Sequence, residues 1–376
     1  MNQESEIPVC KLSCHFLRYS LIWPNKNEEL DPSKWFYINQ LLFIIFVLTP
    51  NTVLLFIHLV LSQEEGLDLS EDLAMVSSLL GLVGMMAIYV IKQKEVASLL
   101  LDLRDAQTYG KPPLFDIVNK KLEYFTKFVF FYGMFGTSVY NSIKIIDISE
   151  CRKTRKIRET CGVLIPYWTP FDADDWYILT LLIIYVFFFV ATIDRGVLCI
   201  TLQVFEIACN IKLRIDQLNL MLLCCFNDRN LARRRLNACI YYHSALIKYC
   251  ERFNDCYMNQ MFTFLVLTGT ICACLENQII QQHNVGAILH ICGWAGSLFL
   301  ACVSGQILID SSTSVGEAAY NSKWYDADAC LRKDLALVIM RSQKALFINT
   351  GAFNVLSFAL FVSVMKMSYS ILALLR

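Results

Sequence analysis

Seven apolar stretches, each long enough to cross a lipid bilayer as a helix, constrain the fold of this 376-residue chain more than any other feature. About 20 apolar residues span the hydrocarbon core, and in lipid only helices or closed barrels satisfy their own backbone hydrogen bonds. We therefore predict a single domain, residues 1–376, that is an all-α membrane protein with seven transmembrane helices. The predicted spans are Trp35–Leu61, Leu69–Ile91, Phe125–Ile148, Trp176–Ile200, Tyr257–Ile280, Val285–Ile309 and Leu346–Leu374.

The placement of basic residues predicts the orientation of these helices. Most of the 33 lysines and arginines lie before helix 1 or in the loops after helices 2, 4 and 6. Because basic loops stay in the cytoplasm, residues 1–34 are predicted to be a cytoplasmic N-terminal segment, and the C-terminus lies outside. Residues 149–175 then form a long extracellular loop. Its basic run Arg152–Arg158 opposes this orientation, but long loops translocate regardless of charge, and Cys151 and Cys161 could form a disulfide there.

Helices 4, 5 and 6 are predicted to continue past the membrane. An i, i+3/i+4 apolar rhythm persists among charged residues after helix 4 and before helix 5. Helix 6 continues into a segment of small residues that contains Asp310 and Glu317, which would be costly in lipid. We expect residues 205–255 and 310–345 to form a packed cytoplasmic anchor domain, with a further helix at Asp334–Lys344.

The composition argues against several function classes. The 33 acidic residues balance the basic ones, which gives no reason to expect a nucleic-acid partner, and neither a CxxC pair nor an HExxH, GxSxG or glycine-rich phosphate loop occurs. We therefore predict no enzyme, no cofactor and no metal. His283 and His290 share a helix face, and we interpret them as packing at the membrane boundary. Asp194-Arg195 superficially resembles a motif of G-protein-coupled receptors, but it lies on a different helix from theirs.

The last helix carries polar groups that lipid would not select. Steps of three and four residues align a polar face that ends in a leucine. Such a face could bond to neighbouring helices, as in most membrane bundles, or it could line water. Since no other helix offers a comparable stripe, a pore would require several subunits, with Leu372 as an apolar gate that excludes water. The stripe consists of Thr350, Asn354, Ser357, Phe361, Met365, Ser368 and Leu372.

Two segments resemble the most recognisable parts of insect odorant receptors. They are GQILIDSSTSVGEAAYNSKWY at 305–325 and KMSYSILALLR at 366–376. The resemblance implies a plasma-membrane, ligand-gated, non-selective cation channel that assembles as a heterotetramer with odorant co-receptor subunits. Its pore would be lined by helix 7, with Met365, Ser368 and Leu372 as pore or gate residues. The alternatives are a homomeric channel of the sister gustatory family and, less favoured, a G-protein-coupled receptor.

The resemblance also places the odorant in the outer half of the bundle of helices 2 to 6. Helix 3 offers space and an aromatic ring on one face, at Gly133, Gly136 and Tyr140. The family placement adds residues of helices 2, 4 and 5 at similar depth. Few charges and several tyrosines favour a small aromatic or heterocyclic volatile. The added residues are Met75, Ser78, Leu79, Ile178, Leu182, Tyr185, Thr268 and Cys272.

Overall fold

The computed structural model describes residues 7–66, 69–155, 159–165, 167–282, 285–351 and 355–375. Within these ranges the chain is almost entirely helical, with no strand beyond two isolated bridges, and the predicted all-α fold is confirmed. The α-helices are α1 (Lys11–Tyr19), α2 (Lys34–Phe43), α3 (Thr49–Glu64), α4 (Ser70–Arg104), α5 (Phe115–Ile146), α6 (Ile148–Thr154), α7 (Trp176–Leu223), α8 (Ala232–Gln282), α9 (Val285–Tyr320), α10 (Ala329–Ser342) and α11 (Phe358–Leu375).

Several helices are much longer than a bilayer is thick. Helices α7 and α8 contain 48 and 51 residues. At a rise of 1.5 Å per residue each extends for about 70 Å, more than twice the ~30 Å hydrocarbon core. Both therefore continue well past the predicted spans. The long helices α7, α8 and α9 pack against one another, and α10 packs against α8 and α9.

Five helical segments of the described chain are long and apolar enough to cross a membrane. The other two predicted spans correspond to α5, which is long enough but mixes polar with apolar residues in its second half, and to α11, a shorter apolar helix. The chain is thus a multi-helix membrane protein. The five segments are Lys34–Glu64, Glu71–Arg104, Trp176–Leu223, Ala232–Gln281 and Gly286–Tyr320.

The first span contains a local widening of the helix. Residues Ile44–Leu48 form a π-helical segment that joins α2 to α3 without a break. Pro50, at the start of α3, has no backbone N–H to donate to the preceding turn. The Thr49 hydroxyl instead donates to the Ile44 carbonyl oxygen (2.9 Å), and the Asn51 amide donates to that of Val47 (2.6 Å). Side chains thus satisfy carbonyl groups that this irregular turn leaves open.

The described part of the N-terminal segment is folded against the bundle. Ser13 of α1 and Thr126 of α5 donate hydrogen bonds to the two carboxylate oxygens of the buried Glu206 of α7 (2.6 and 2.5 Å). The ring of Phe16 stacks on that of Phe130, with 4.1 Å between centroids. Residues 7–31 are therefore part of the core rather than a free tail.

The connection from α10 to α11 corrects the predicted seventh span, Leu346–Leu374. Helix α11 begins only at Phe358, and the residues before it form a turn in which Asn349 bridges Val355 and Gly351 adopts a left-handed conformation (φ +62°). Thr350 and Ser357 of the predicted stripe therefore lie outside the helix, and Asn354 lies outside the described residues. A Cβ on Gly305 of α9 would overlap the carbonyl oxygen of Leu356.

The loop at residues 149–175, called the outer loop after its predicted position, is closed by the disulfide between Cys151 and Cys161, whose Cα atoms lie 5.8 Å apart. The sequence alone left this pairing open. Beyond the disulfide, the loop inserts apolar side chains into the core of the bundle, which fixes it to the helices. These side chains are Val163, Leu164, Ile165 and Tyr167.

Candidate ligand-binding site and pore helix

A close approach of two helices positions the residues predicted on α4. The side chain of Leu267 of α8 packs directly on Gly81, and it would have to move to make room for a Cβ there. One turn earlier on α4, Ser78 and Leu79 are buried. The Ser78 hydroxyl has no hydrogen-bond partner among the described residues. Met75 lies partly buried against the same core.

An aromatic cluster joins α5, α9 and α8. The Tyr140 ring of α5 lies 6.1 Å from the His290 ring of α9, measured between centroids. One turn along α9, the indole Nε1–H of Trp294 donates a hydrogen bond to His290 Nε2 at 3.0 Å. Trp294 stacks on Phe264 of α8 at 5.8 Å. The predicted residue Tyr140 is thus brought against His290, which in turn is bound by Trp294, and neither α9 residue was in the predicted set.

The face of α8 that carries Phe264 also carries the two residues predicted on this helix. Thr268 and Cys272 follow at steps of four and are fully buried. The Thr268 hydroxyl donates to the backbone oxygen of Phe264 (2.7 Å), which leaves the hydroxyl oxygen as an acceptor. These two residues therefore extend the cluster toward the C-terminal end of α8.

The two glycines predicted on α5 differ in their surroundings. A Cβ on Gly133 would lie 3.0 Å from the Leu198 side chain, whereas one on Gly136 would have no atom within 4 Å. Gly136 lies one turn from Tyr140 on the same face, so free space adjoins the aromatic cluster. Two cavities of the structure lie elsewhere, one between the inner ends of α7 to α10 and one on the surface of α11.

The residues predicted on α7 contact other parts of the chain than the aromatic cluster. Tyr185 is 42% exposed, and its hydroxyl accepts a hydrogen bond from Asn51 of α3 at 2.7 Å. The Asn51 side-chain oxygen in turn accepts from the hydroxyl of Tyr167 in the outer loop at 2.6 Å. Leu182 packs against the core, and Ile178 is half-buried.

The buried face of α11 carries two residues of the predicted water-facing stripe. Leu372 is 5% exposed, Ser368 is fully buried, and the Ser368 hydroxyl donates to Glu276 of α8 at 2.9 Å. Both residues face the interior of their own subunit because α8 offers a hydrogen-bond acceptor and α11 packs against α8 and α9. The stripe matched the helical period, but this period alone could not show which side is covered.

The exposed face of α11 carries different residues. Val362, Lys366, Tyr369 and Ala373 follow one another at steps of four, three and four residues, and all four are exposed. A shallow groove runs along this side of the helix. Met365, half-buried, lines it, and it is the member of the predicted pore set that lies nearest the exposed side. The groove is lined by Phe361, Val362, Met365, Lys366, Tyr369 and Ser370.

Sequence reasoning missed His290, Trp294 and Asn51. The spacing of four residues between His290 and Trp294 places a donor over an acceptor on one helix face, which was a usable signal. Asn51 was recognisable as an amide directly after a proline within an apolar span. His290 was interpreted as boundary packing, but it contacts the buried Tyr140. His283, its predicted companion, lies outside the described residues.

Comparisons with known proteins agree on one family. The "7tm Odorant receptor" family model matches residues 65–369. Odorant receptor 67c of Drosophila melanogaster is 34% identical over 142 residues, which cover 36% of this chain and 35% of that protein. The odorant receptor coreceptor of Ooceraea biroi is 29% identical over 140 residues, covering 36% of this chain and 29% of that protein. The matched segments thus span about a third of these curated relatives.

Solved structures share the whole fold. The insect olfactory receptor OR5 from Machilis hrabei superposes with a TM-score of 0.79 at 17% identity, covering 97% of this chain and 96% of that one. Its structure in complex with eugenol gives a TM-score of 0.81 at 16% identity and covers 97% of both chains. The family model matches most of the chain, and the superposition extends over nearly all of it. The chain belongs to the 7tm odorant receptor family.

Proposed function

We propose that this chain is the odorant-binding subunit of a ligand-gated, non-selective cation channel that it forms in the plasma membrane with an odorant co-receptor. The observation that carries the proposal is the family match across residues 65–369. A solved receptor with this fold was obtained in complex with eugenol, which supports a small volatile as the class of ligand. The similarity to coreceptor sequences supports a related subunit as the partner.

The proposed odorant site is the aromatic cluster of α5, α8 and α9 together with the adjoining face of α4. Its walls are apolar, and they include a few polar groups, such as the Ser78 hydroxyl and the His290 ring. A volatile that buries about 250 Å² of apolar surface gains about 6 kcal/mol before the cost of association, which limits the affinity to micromolar or weaker. We propose a small aromatic or heterocyclic compound, because rings pack well against Tyr140 and Trp294.

The proposed pore surface is the exposed face of α11. Lys366 stands midway along this apolar helix and lines its surface groove, and a lysine there is costly against lipid. None of the ion pairs formed between described residues includes it, and Glu276 of α8 accepts a hydrogen bond from Ser368. A face with Lys366 and Tyr369 therefore suits water or another subunit. We therefore propose that this exposed face of α11 lines the pore, and that the buried face with Ser368 and Leu372 does not.

The proposed orientation keeps the N-terminus in the cytoplasm. The loop that contains Cys151 and Cys161 holds a disulfide, and disulfides persist in oxidising compartments. An extracellular position of this loop agrees with the distribution of basic residues. The extensions of α7, α8 and α9, together with α10, then form the cytoplasmic anchor.

The test is electrical. The chain is co-expressed with an odorant co-receptor, and a panel of volatiles is applied to excised membrane patches in solutions without GTP. A volatile-evoked cation current that depends on this chain supports the proposal. A current that requires GTP would favour a G-protein-coupled receptor, and one that appears without the co-receptor would favour a homomeric channel of the gustatory type.

A further inference from the structure

The hydrogen bond between Trp294 and His290 determines which ring nitrogen of His290 carries the proton. An indole N–H can only donate a hydrogen bond, so His290 Nε2, which lies 3.0 Å from Trp294 Nε1, must be the acceptor and carries no proton. A neutral imidazole then holds its proton on Nδ1. Trp294 thus selects the tautomer in which Nδ1 is a donor.

The second ring nitrogen is available for a ligand. Within the described ranges, no hydrogen bond of His290 other than that from Trp294 is recorded, so Nδ1–H has no assigned acceptor. No carboxylate is recorded against the ring. The acid of this region, Glu71 of α4, is paired with Lys144, whose ammonium group lies 5.7 Å from the centroid of the Tyr140 ring. His290 is therefore left as an uncharged donor beside aromatic rings.

Free space lies one turn from Tyr140, the ring that faces His290. Helices α5 and α9 contact each other, with Tyr140 opposite His290. One turn further along α5, Gly136 leaves room for at least a Cβ with no atom within 4 Å. A ligand ring that occupied this space could stack against Tyr140 while an oxygen on it reached Nδ1.

We propose that His290 Nδ1–H donates a hydrogen bond to an oxygen acceptor of the ligand, and that Trp294 is the positioning residue that holds the donor tautomer. The inference rests on the proposed odorant site and narrows its ligand to small, uncharged aromatic volatiles with a carbonyl or ether oxygen. Recognition would then depend on one directed bond as well as on apolar contact. A volatile of the same shape without the oxygen would leave Nδ1 without a partner.

Matched ligand pairs test this proposal in the full chain with a co-receptor. The probes are acetophenone against α-methylstyrene and anisole against ethylbenzene, which differ chiefly in the acceptor oxygen. For each receptor variant, the ratio of half-maximal concentrations within a pair is measured from the evoked current. This ratio does not depend on the surface level of the receptor, and comparison with wild type cancels differences in volatility. A net hydrogen bond corresponds to a roughly three- to tenfold preference for the oxygen-bearing member.

His290→Phe keeps a ring but removes the donor, so the preference should disappear. His290→Gln restores an N–H and should retain part of the preference, whereas Cys292→Ala, on the exposed side of α9, should leave it unchanged. Trp294→Phe should reduce the preference in the wild-type background and have no effect on the ratio when combined with His290→Phe. If Trp294 only supported the fold, the effect of Trp294→Phe on the ratio would not depend on the presence of His290.

Three results would overturn the inference. The preference could be the same in His290→Phe as in wild type, the Trp294→Phe effect could persist without His290, or the wild-type receptor could respond to other volatiles but to neither oxygen-bearing probe. Each of these leaves the proposed function standing. If no volatile evokes a current in the wild-type complex, the proposed function itself fails, and the inference fails with it.

Discussion

His58 Nε2 of α3 lies 3.1 Å from Glu159 Oε2 of the outer loop. The other ring nitrogen, Nδ1, lies 3.0 Å from Asp72 Oδ1 at the start of α4. Because ionised carboxylates only accept hydrogen bonds, both ring nitrogens must donate, which requires a charged imidazolium. One buried cation thus ties the outer loop to two helices at the outer end of the bundle.

Replacing His58 with leucine should loosen this connection. The change leaves the carboxylate of Asp72 buried without its charged partner, and loss of one partner of a buried pair costs about 3 kcal/mol or more. We expect the apparent Tm of the detergent-solubilised, fluorescently tagged chain to fall by roughly 5 °C or more. Size-exclusion chromatography after heating provides the measurement.

Two variants control this experiment. The hydroxyl of Ser62 is 3.4 Å from His58 Nδ1, at the limit of a hydrogen bond, so Ser62→Ala should change the Tm little. The double variant His58→Leu with Asp72→Leu removes the orphaned charge and should recover part of the loss. If the double variant is as unstable as the sum of the two single variants, the residues do not act as a pair.

Glu29 holds the N-terminal segment to the bundle. Its carboxylate accepts from Arg18 Nη2 (2.7 Å), from Trp23 Nε1 (3.1 Å) and from Arg104 Nη1 of α4 (2.9 Å). Glu29→Gln should destabilise the chain by about 3 kcal/mol, because the largely buried Arg104 loses its counter-charge. The fraction of tagged receptor that survives heating measures the loss.

Asp31→Asn is the matched control for Glu29→Gln. Asp31 pairs with Lys94 at 3.4 Å, but its side chain is 96% exposed, and solvent screens such a pair almost completely. We expect no measurable change in heat resistance or surface level. Equal losses in the two variants would show that the network around Glu29 contributes nothing beyond surface charge.

The helices were predictable because each apolar stretch exceeds the length that a bilayer demands, and the persistent i, i+3/i+4 rhythm predicted that α7 and α8 continue beyond it. Helix ends that depend on a single contact with a distant part of the chain were not predictable. The start of α11 at Phe358 depends on the turn at Gly351 and on the contact between Gly305 and Leu356, which are far apart in sequence. Periodicity describes the faces of a single helix, whereas such contacts depend on how two separate segments pack together.

The site was predictable only in part, for a similar reason. Tyr140 and Gly136 were selected from the sequence because they share one helix face, and both adjoin the site proposed here. The hydrogen bond from Ser368 to Glu276 could not be read from α11 alone, so the sequence did not show that this side of the helix is covered within its own subunit. Likewise, the partner of His290 was visible on α9, but its contact with Tyr140 requires the packing of α5 on α9.

Gly305 should be intolerant of even one added methyl group. A Cβ there would overlap the carbonyl oxygen of Leu356, which is backbone and cannot rotate away, so the connector before α11 must shift. Such overpacking costs about 1–3 kcal/mol, and the displaced segment leads directly into the proposed pore helix. We expect Gly305→Ala to reduce the evoked current per receptor at the cell surface by severalfold.

Gly296→Ala provides the comparison on the same helix. A Cβ at Gly296 meets no atom within 4 Å, and alanine favours a helix by about 1 kcal/mol over glycine. Its current and surface level should match or exceed those of wild type. If both alanine variants behave alike, close packing at Gly305 has no functional importance.

Gly136 should control the size of the ligands that the proposed site accepts. Because a Cβ at this position would have no atom within 4 Å, alanine should fit, whereas leucine should occupy the space beside Tyr140. Half-maximal concentrations should rise more for bulky volatiles than for small ones in Gly136→Leu, and little in Gly136→Ala. Equal shifts for all ligands at normal surface levels would place the site elsewhere.

The last prediction distinguishes the two faces of α11. If the exposed face lines the pore, Lys366→Met removes a positive charge from the ion path and should raise single-channel conductance for cations, with surface levels unchanged.

Leu372→Ser should instead act on folding, because it replaces a leucine that is buried in its own subunit, at a cost of about 2–3 kcal/mol. Leu374, which is 86% exposed, is the control for Leu372, and Leu374→Ser should not disturb packing. Single-channel recording and surface labelling are performed on all three variants. A raised resting current in Leu372→Ser, together with unchanged conductance in Lys366→Met, would return the pore to the face that carries Leu372.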